Sequence, residues 1–260
     1  MLNNHRIVVV MPAFNAARTL PPTVHSLPQD IVDDIVVVDD GSVDDTASVA
    51  ESLGIPHVIR LDRNRGYGAN QKVCYDTALE LGADIVVMVH PDYQYDPRLV
   101  LPMSAMLASG VYDCVLGSRI LGLGAIAGGM PRYKYIANRT LTAFQNLLLP
   151  HKLSEYHTGL RAWSARLLRG LPYERLSDDF VFDNHILIQT IAAGFSIGEV
   201  SCPTRYAADS SSIGFQRSLI YGLGVVAGTF EYKLSPWLQS HRFPRYLRNM
   251  NKDQLTTESN

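Results

Sequence analysis

Three runs of mostly β-branched residues constrain the fold of this chain more than any other feature of its sequence. They lie at 7–10 (IVVV), 35–38 (IVVV) and 85–89 (IVVMV), and none of them alternates with polar residues. Strands with this pattern are covered on both faces, as the strands of parallel sheets are. Helical patterns at 43–54 and 67–82 separate the runs, and such strand–helix–strand units form right-handed crossovers. The sequence therefore predicts an α/β fold with a mostly parallel, Rossmann-like sheet flanked by helices.

The second half of the chain has a different pattern. Helices are predicted at 131–150, 182–194 and 218–234, the first of them amphipathic with basic residues near its start. We expect these helices to form a C-terminal helical appendage to a single domain that spans residues 1–235. Residues 236–260 end in a polar stretch and are predicted to be a partly disordered tail.

Composition excludes several classes of protein. The formal net charge of −2 gives no basic field for nucleic acid. The three cysteines lie far apart without metal-binding spacing, which favours a reducing compartment, and we expect a cytoplasmic protein. No apolar stretch reaches the ~18 residues of a membrane span, and the N-terminal apolar run, which ends at Pro12, is too short for a signal peptide.

Polar residues follow the predicted strands at three places. A third, shorter strand is predicted at 57–62 (HVIRLD), so the run at 85–89 is the fourth. Pro12-Ala13-Phe14-Asn15 follows the first strand, Asp39-Asp40-Gly41-Ser42 the second, and His90-Pro91-Asp92-Tyr93-Gln94 the fourth. Any one of these segments alone is an ordinary turn. Ligands of open parallel sheets bind beyond the carboxyl ends of the strands, so we expect all three turns to line one crevice.

The residue types in these turns suit a nucleotide diphosphate. Asp40 can accept hydrogen bonds from a base or ribose, and Asp92 and Gln94 present oxygen ligands of the kind that Mg²⁺ and Mn²⁺ share with phosphates. The segment RNRGYGAN at 63–70 adds Arg63, Arg65 and a glycine turn before a helix. The phosphate-binding loop with Gly-Lys-Ser/Thr and the dinucleotide-binding G-x-G-x-x-G are both absent. A nucleoside triphosphatase or a nicotinamide oxidoreductase is therefore not expected.

The motifs, taken in order and spacing, resemble those of glycosyltransferase family 2. The segments that carry the resemblance are VVVMPAFNAARTL, DDIVVVDDGSVDDT, RNRGYGAN and HPDYQYDP. The resemblance implies the GT-A fold and an inverting transfer from a nucleotide-diphospho-sugar, either a UDP- or a GDP-sugar. SEYHTGLRAWSARLL at 154–168 and GSRI at 117–120 further resemble the polyprenyl-phosphate hexosyltransferases, the dolichol-phosphate mannose synthase group. This group implies a polyprenyl phosphate acceptor and a role in cell-envelope glycan synthesis.

Positions of the family motifs carry over to residues of this chain as expected site residues. Asp92 falls on the second aspartate of the D-x-D motif and Gln94 two residues later, which implies a magnesium or manganese site. His90 replaces the first aspartate and can be a nitrogen ligand, a hydrogen-bond donor or a packing substitute. The residues expected to bind the donor nucleotide-sugar are Pro12, Phe14, Asn15, Asp39, Asp40, Arg65, Gly66 and His90.

The acceptor side of the expected site is less sharply defined. Glu155 replaces an acidic residue that, in the resembling group, lies near the acceptor phosphate or acts as a base. Asp183, with Asp178 and Asp179, is a second candidate base and equally a candidate helix cap. The expected contacts of an acceptor phosphate are Arg119, Arg132, Lys134 and Arg161; weaker candidates are His157, Arg205, Arg217 and Lys233.

Three functional hypotheses follow. The first is a metal-assisted transferase that moves a hexose to a polyprenyl phosphate, with the chain peripheral at the inner face of a membrane. The second is a family 2 transferase with a soluble saccharide, glycolipid or metabolite acceptor, which requires a carboxylate base. The third is a nucleotide-sugar-binding protein with degraded chemistry, motivated by His90. The helices at 131–150 and 218–234 either lie on a membrane surface or pack on the sheet with a basic edge in water.

Overall fold

The structure is a computed structural model that describes residues 1–122, 124–205, 214–237 and 240–250. Of the predicted tail, residues 238–239 and 251–260 lie outside the described residues. Within the described part of the tail, Phe243 and Leu247 are buried and belong to the hydrophobic core. The chain therefore keeps packing on the main domain beyond residue 235.

The described residues form one seven-stranded sheet. Its strands, in chain order, are β1 (Ile7–Ala13), β2 (Asp34–Asp39), β3 (His57–Arg60), β4 (Ile85–Met88), β5 (Cys114–Ser118), β6 (Arg161–Ser164) and β7 (Ile197–Ser201). The spatial order is β3-β2-β1-β4-β6-β5-β7, and only β6 runs antiparallel to its neighbours. The predicted mostly parallel sheet is confirmed.

Helices cover both faces of the sheet. They are α1 (Leu20–His25), α2 (Thr46–Ser52), α3 (Tyr67–Glu80), α4 (Val100–Ala108), α5 (Gly124–Ala127), α6 (Arg132–Leu148), α7 (Ala165–Gly170), α8 (Phe182–Ala192) and α9 (Phe215–Leu234). Alternate residues of β1 explain why both layers are needed: Val8 and Val10 join one buried cluster, while Val9 joins the other. A strand that is apolar on both sides is stable only when both sides are covered.

Strand β6 was not anticipated from the sequence, and it decides the geometry of the site. Because β6 is antiparallel to β4, Arg161 at its start pairs with Met88 near the end of β4. The segment at 154–160, which leads into β6, therefore lies at the same edge of the sheet as His90. Gly159 is so close that an added Cβ would lie 2.8 Å from Nε2 of His90.

Helices α6 and α9 contact each other and close one side of this edge, and α8 packs on α9. Buried polar side chains join these helices: the amide nitrogen of Gln145 in α6 donates to Asn184 in α8 and to Thr229 in α9, each at 3.1 Å. The three predicted helices are confirmed, and α9 packs on both α6 and α8. Within the described residues, no helix is both long and apolar enough to cross a membrane.

Candidate active site

A single cavity of about 1660 Å³ lies at the carboxyl edge of the sheet. Its walls come from the turns after β1, β2 and β4, the start of α3, and the facing sides of α6 and α9. The sequence-predicted residues that line it are Pro12, Phe14, Asn15, Asp40, Gly66, His90, Asp92, Gln94, Arg119, Lys134 and Asp183. The expected convergence of the three polar turns on one crevice agrees with this arrangement.

The turns after β1 and β2 are tied together by side chains. Asn15, which adopts a left-handed backbone with φ +51°, accepts a hydrogen bond from Val43 N–H at 3.0 Å through its side-chain oxygen. Its own N–H donates to Ser42 Oγ at 2.8 Å. Ser42 in turn donates to Asp39, which is fully buried. Asp39 thus stabilises the turn and does not line the cavity, contrary to its predicted role as a ligand contact.

Asp40 organises the loop that precedes α3. Its carboxylate accepts hydrogen bonds from the backbone N–H of Arg65 at 2.7 Å and of Gly66 at 3.1 Å. Burial raises the pKa of Asp40 above its usual value, against the effect of these hydrogen bonds, and the neighbouring charge of Asp39 adds to the rise. Arg65 contributes its backbone here, and its side chain does not line the cavity.

The N-terminus of α3 is covered by another segment of the chain. Asp178 O accepts hydrogen bonds from the N–H of Gly68 at 2.7 Å and of Ala69 at 3.3 Å. Gly66 has φ +102°, and an added Cβ at Gly68 would lie 2.4 Å from Ser177 O. The two glycines are needed for this close approach, so the predicted phosphate site at the helix N-terminus is filled by a backbone carbonyl.

The turn after β4 presents His90, Asp92 and Gln94 to the cavity. Asp92 Oδ1 accepts a hydrogen bond from Gln94 N–H at 3.0 Å, and Tyr93 between them has φ +55°. Both Asp92 and Gln94 line the cavity from this turn. Within the described parts of the chain, no group of three or more His, Cys, Asp or Glu residues could hold a metal. A divalent ion here would need ligands from a bound substrate as well.

Asp183 lines the cavity but has both carboxylate oxygens engaged. Tyr67 OH donates to Oδ2 at 2.9 Å, and the Gln71 amide donates to Oδ1 at 2.9 Å. Tyr67 OH also bonds to His90 Nε2 at 2.7 Å. Tyr67 was missed in the sequence, where the only signal was its place inside the RNRGYGAN motif. Its two hydrogen bonds link His90, in the turn after β4, to Asp183 of α8.

Glu155 is fully buried and pairs with Arg119. It also accepts hydrogen bonds from Arg119 N–H at 2.8 Å and from the Asn138 amide at 2.6 Å. Burial alone would raise the pKa of Glu155, but the charge and hydrogen bonds of Arg119 outweigh it and hold the pKa below its ordinary value. A fully buried carboxylate with all these partners has no access to an acceptor, so the predicted role of Glu155 as a base does not fit its position.

Two of the predicted phosphate contacts lie outside the cavity. Arg161 is fully buried, and its guanidinium donates to the backbone carbonyls of Thr158, Asp183 and Tyr156. It therefore holds the loop before β6 against α8 and is not available to a phosphate. Arg132 is exposed at the start of α6 and does not line the cavity.

Two of the predicted basic residues line the cavity. They are Lys134 of α6 and Arg119, the ion-pair partner of Glu155. Partial burial lowers the pKa of Lys134, and the charge of Arg119 adds to the effect. His157 also lines the cavity; burial lowers its pKa to about 3, so the ring is neutral. Its Nδ1 bonds to Tyr221 OH of α9 at 2.9 Å, an aromatic partner that sequence reasoning did not single out.

Known proteins resemble this chain in sequence. Residues 8–171 match the model of the family Glycosyl transferase family 2. Uncharacterized protein MJ1222 of Methanocaldococcus jannaschii is 30% identical over 82% of this chain and 87% of its own length. A UDP-N-acetylglucosamine–dolichyl-phosphate N-acetylglucosaminyltransferase of Methanococcus voltae is 27% identical, covering 80% and 89% of the two chains. The polyprenol monophosphomannose synthase of Mycolicibacterium smegmatis is 26% identical, covering 75% and 76%.

Solved structures share the fold. Glucosyl-3-phosphoglycerate synthase from Mycobacterium tuberculosis, in complex with Mn²⁺, UDP-glucose and phosphoglyceric acid, superimposes with a TM-score of 0.67. The match covers 89% of this chain and 80% of that one at 22% identity. The fold is therefore GT-A, with a mostly parallel sheet whose carboxyl edge opens into the cavity. Because the family model matches residues 8–171, more than half of the sequence, the chain is a glycosyltransferase and a member of glycosyl transferase family 2.

Proposed function

We propose that this enzyme transfers a hexose from a nucleotide-diphospho-sugar to a polyprenyl phosphate, with inversion at the anomeric carbon. The observation that carries the proposal is the set of residues that line the cavity. Polar turns with Asp40 and Asp92 line it together with Lys134 of α6 and Leu219 and Leu223 of α9. We assign the polar turns to a donor end and the two helices to an acceptor end. A phosphate with a long apolar chain matches an acceptor end that is both cationic and apolar.

The donor end suits a nucleotide diphosphate held with a divalent cation. Phe14 is about half exposed within the cavity and offers an aromatic surface for a base. Asp92 and Gln94, which both line the cavity, supply a carboxylate and an amide oxygen. This donor set fits Mg²⁺ or Mn²⁺ shared with substrate phosphates. The ion, when bound, supplies Lewis-acid stabilisation of the departing diphosphate.

The hydrogen bonds of the two predicted bases favour an acceptor that is already an anion. Glu155 and Asp183 have their carboxylates committed to Arg119 and to Tyr67 and Gln71, respectively. A phosphate acceptor needs positioning by cations and no proton removal. Asp179 is exposed and lines the cavity, so it is the candidate base for a hydroxyl acceptor. Its importance for turnover thus separates the two acceptor classes.

The mouth of the cavity supports work at a membrane surface. Exposed apolar side chains lie on the two helices that line the cavity: Tyr133 and Ile136 of α6, and Leu219, Ile220 and Leu223 of α9. We take these five as an apolar rim; Ile136 is 63% exposed and Ile220 is 64% exposed. Arg132 and Arg217 flank this rim and are exposed. Apolar side chains bordered by basic ones are typical of surfaces that insert into the interface of anionic lipids. We propose peripheral binding at the cytoplasmic face, which would bring the cavity to a lipid phosphate.

The test uses radiolabelled UDP- and GDP-hexoses with Mn²⁺ or Mg²⁺. Acceptors are a short-chain polyprenyl phosphate in anionic vesicles and, separately, soluble sugars. The expected result is transfer to the lipid phosphate, a product of inverted configuration by NMR, and turnover of Asp179→Asn within about threefold of the unsubstituted enzyme. Transfer only to soluble sugars, with Asp179→Asn inactive, would refute the lipid acceptor in favour of a hydroxyl acceptor.

A variant of the rim tests the membrane contact independently. Leu219→Asn with Leu223→Asn is expected to abolish sedimentation with anionic vesicles, because the exposed apolar area that inserts is lost. Leu101→Asn, an equally simple change at an exposed leucine of α4, is the matched control and should sediment normally. Nucleotide binding without turnover on any donor and acceptor would favour a degraded binding protein and contradict the proposal.

A further inference from the structure

A chain of hydrogen bonds runs from the core of the protein to the cavity. At its inner end, the indole Nε1–H of Trp163 donates to Tyr75 OH at 3.2 Å. Tyr75 OH donates to Gln71 Oε1 at 2.7 Å, and Gln71 Nε2 donates to Asp183 Oδ1 at 2.9 Å. All four side chains are buried, so water does not compete for these bonds.

The inner half of the chain of hydrogen bonds runs from Trp163 to Asp183, and the indole of Trp163 sets the direction of donation along it. An indole N–H can only donate, so the Tyr75 oxygen accepts and its single proton is left for Gln71. The Gln71 carbonyl then faces Tyr75, and its amide protons face Asp183. A carboxylate can only accept. Each bond in the inner half is therefore satisfied in one orientation, and the chain delivers a donor to Asp183.

The outer half meets Asp183 from the other side. Tyr67 OH donates its proton to Asp183 Oδ2 at 2.9 Å. The same hydroxyl lies 2.7 Å from His90 Nε2, and because its proton is already used, it must accept there. Nε2 of His90 therefore carries a hydrogen, and in the neutral ring Nδ1 carries the lone pair.

The ring of His90 is held in this orientation by its neighbours. It packs edge-to-face against Tyr67 and Tyr95, with ring centroids 5.5 Å and 5.8 Å away. Gly159 leaves no spare room on the Nε2 side, where an added Cβ would lie 2.8 Å from that atom. Within the described residues, Nδ1 has no hydrogen-bond partner and is not enclosed. It is open to the cavity that Asp92 also lines.

We infer that Nδ1 of His90 is a nitrogen ligand of the divalent cation, oriented by Tyr67 and Asp183 as positioning residues. Ligating histidines commonly donate their other ring N–H to an oriented acceptor, which is the arrangement found here. A site with one imidazole and few carboxylates favours Mn²⁺ or Co²⁺ over Mg²⁺. The inference rests on the proposed function, because the ion is taken to be shared with the diphosphate of the donor.

The test detects the nitrogen directly and does not depend on turnover. Protein labelled uniformly with ¹⁵N is mixed with MnCl₂ and unlabelled UDP or GDP, and pulsed electron paramagnetic resonance records the couplings of the bound ion. The expected result is a ¹⁵N coupling of imidazole size in the unsubstituted protein that disappears in His90→Asp. His90→Asp should also shift the preference between cations, measured by competition, toward Mg²⁺.

A second pair of variants tests the positioning residues. Tyr67→Phe removes the acceptor of Nε2–H and is expected to weaken Mn²⁺ affinity in the presence of nucleotide about 10- to 100-fold. Tyr173→Phe is the matched control, because it removes a tyrosine hydroxyl that donates to a different aspartate, Asp76, at 2.6 Å. It should change Mn²⁺ affinity less than twofold. Near-ultraviolet circular dichroism verifies that both variants are folded.

The outcomes that overturn the inference differ from those that overturn the proposed function. Bound Mn²⁺ without a ¹⁵N coupling, or a coupling that persists in His90→Asp, removes His90 from the ligand set and leaves hexose transfer untouched. Equal Mn²⁺ affinities in Tyr67→Phe and Tyr173→Phe remove the positioning role. Hexose transfer that continues in excess chelator, with no Mn²⁺ bound, overturns both the inference and the metal part of the proposed function.

Discussion

Glu155→Ala is expected to destabilise the folded chain strongly, because it leaves the charge of Arg119 without its partner. The Glu155 side chain is 0% exposed and that of Arg119 is 12% exposed. Removing one member of a buried, hydrogen-bonded ion pair typically costs about 3 to 5 kcal/mol of unfolding free energy. For a domain of this size, that loss corresponds to a fall in melting temperature of roughly 6 to 20 °C.

The expected cost is also supported by the number of groups that lose a partner. Arg119 donates to Glu155 through its backbone N–H and its Nε, both at 2.8 Å, and Asn138 donates its amide at 2.6 Å. Alanine accepts none of these bonds with its side chain, and a buried donor left unsatisfied is itself unfavourable. Glu155→Gln retains an acceptor for some of them and is expected to lie between the unsubstituted protein and Glu155→Ala.

The assay is urea unfolding followed by tryptophan fluorescence and circular dichroism. Glu174→Ala is the control, since Glu174 pairs with Arg175 at 3.6 Å while 65% exposed, and such pairs contribute about 0 to 1 kcal/mol. The reasoning is refuted if Glu155→Ala unfolds at the same urea concentration as Glu174→Ala. Loss of hexose transfer together with unchanged stability would instead restore Glu155 as a candidate base.

Three further outcomes are expected. The folded state lowers the pKa of Glu155 below its usual 4.5. The contribution of Glu155 to the free energy of unfolding is therefore present above pH 4.5 and is lost as the pH falls through the lower pKa of the folded state. Below about pH 4.5, the urea midpoint of Glu155→Gln should fall less steeply with pH than that of the unsubstituted protein. In Gly68→Ala the new Cβ would lie 2.4 Å from a backbone oxygen, so the free energy of unfolding should fall by about 1 to 3 kcal/mol. In Gly214→Ala the new Cβ has nothing within 4 Å, so thermal unfolding of this control should be unchanged. Asp92→Ala should reduce hexose transfer at least about 100-fold and His90→Ala only about 10-fold in the radiolabel assay, because the carboxylate contributes the charged ligand; similar losses for both would contradict this ranking.

Local patterns were sufficient for most of the fold. The helix predicted at 67–82 is observed as Tyr67–Glu80, and the one predicted at 131–150 as Arg132–Leu148. Such patterns are reliable because burial on one face or both faces repeats along the element itself. Strand β6 was missed since its four residues have no such repeat, and its position between β4 and β5 arises from pairing with distant residues.

The candidate site was predictable in outline for a different reason. The rule that ligands bind at the carboxyl ends of parallel strands requires only the strand order of the chain, and it brought Asn15, Asp40 and Asp92 together correctly. The same rule says nothing about the rest of the cavity wall, which comes from α6, α9 and the segment before β6. Arg161 and Glu155 were expected there as functional groups, and both are instead buried structural partners.

The sequence by itself determined the alternation of strands and helices, the crevice at the strand ends and the family motifs within it. These are properties of short segments, where side-chain type and spacing are sufficient. Only the tertiary structure decided which charged groups are committed to neighbours, since Arg119 and Glu155 are 36 residues apart and Tyr67 and Asp183 are 116 apart. A carboxylate acts as a base, a ligand or a structural acceptor according to the partners around it, and those partners come from the fold.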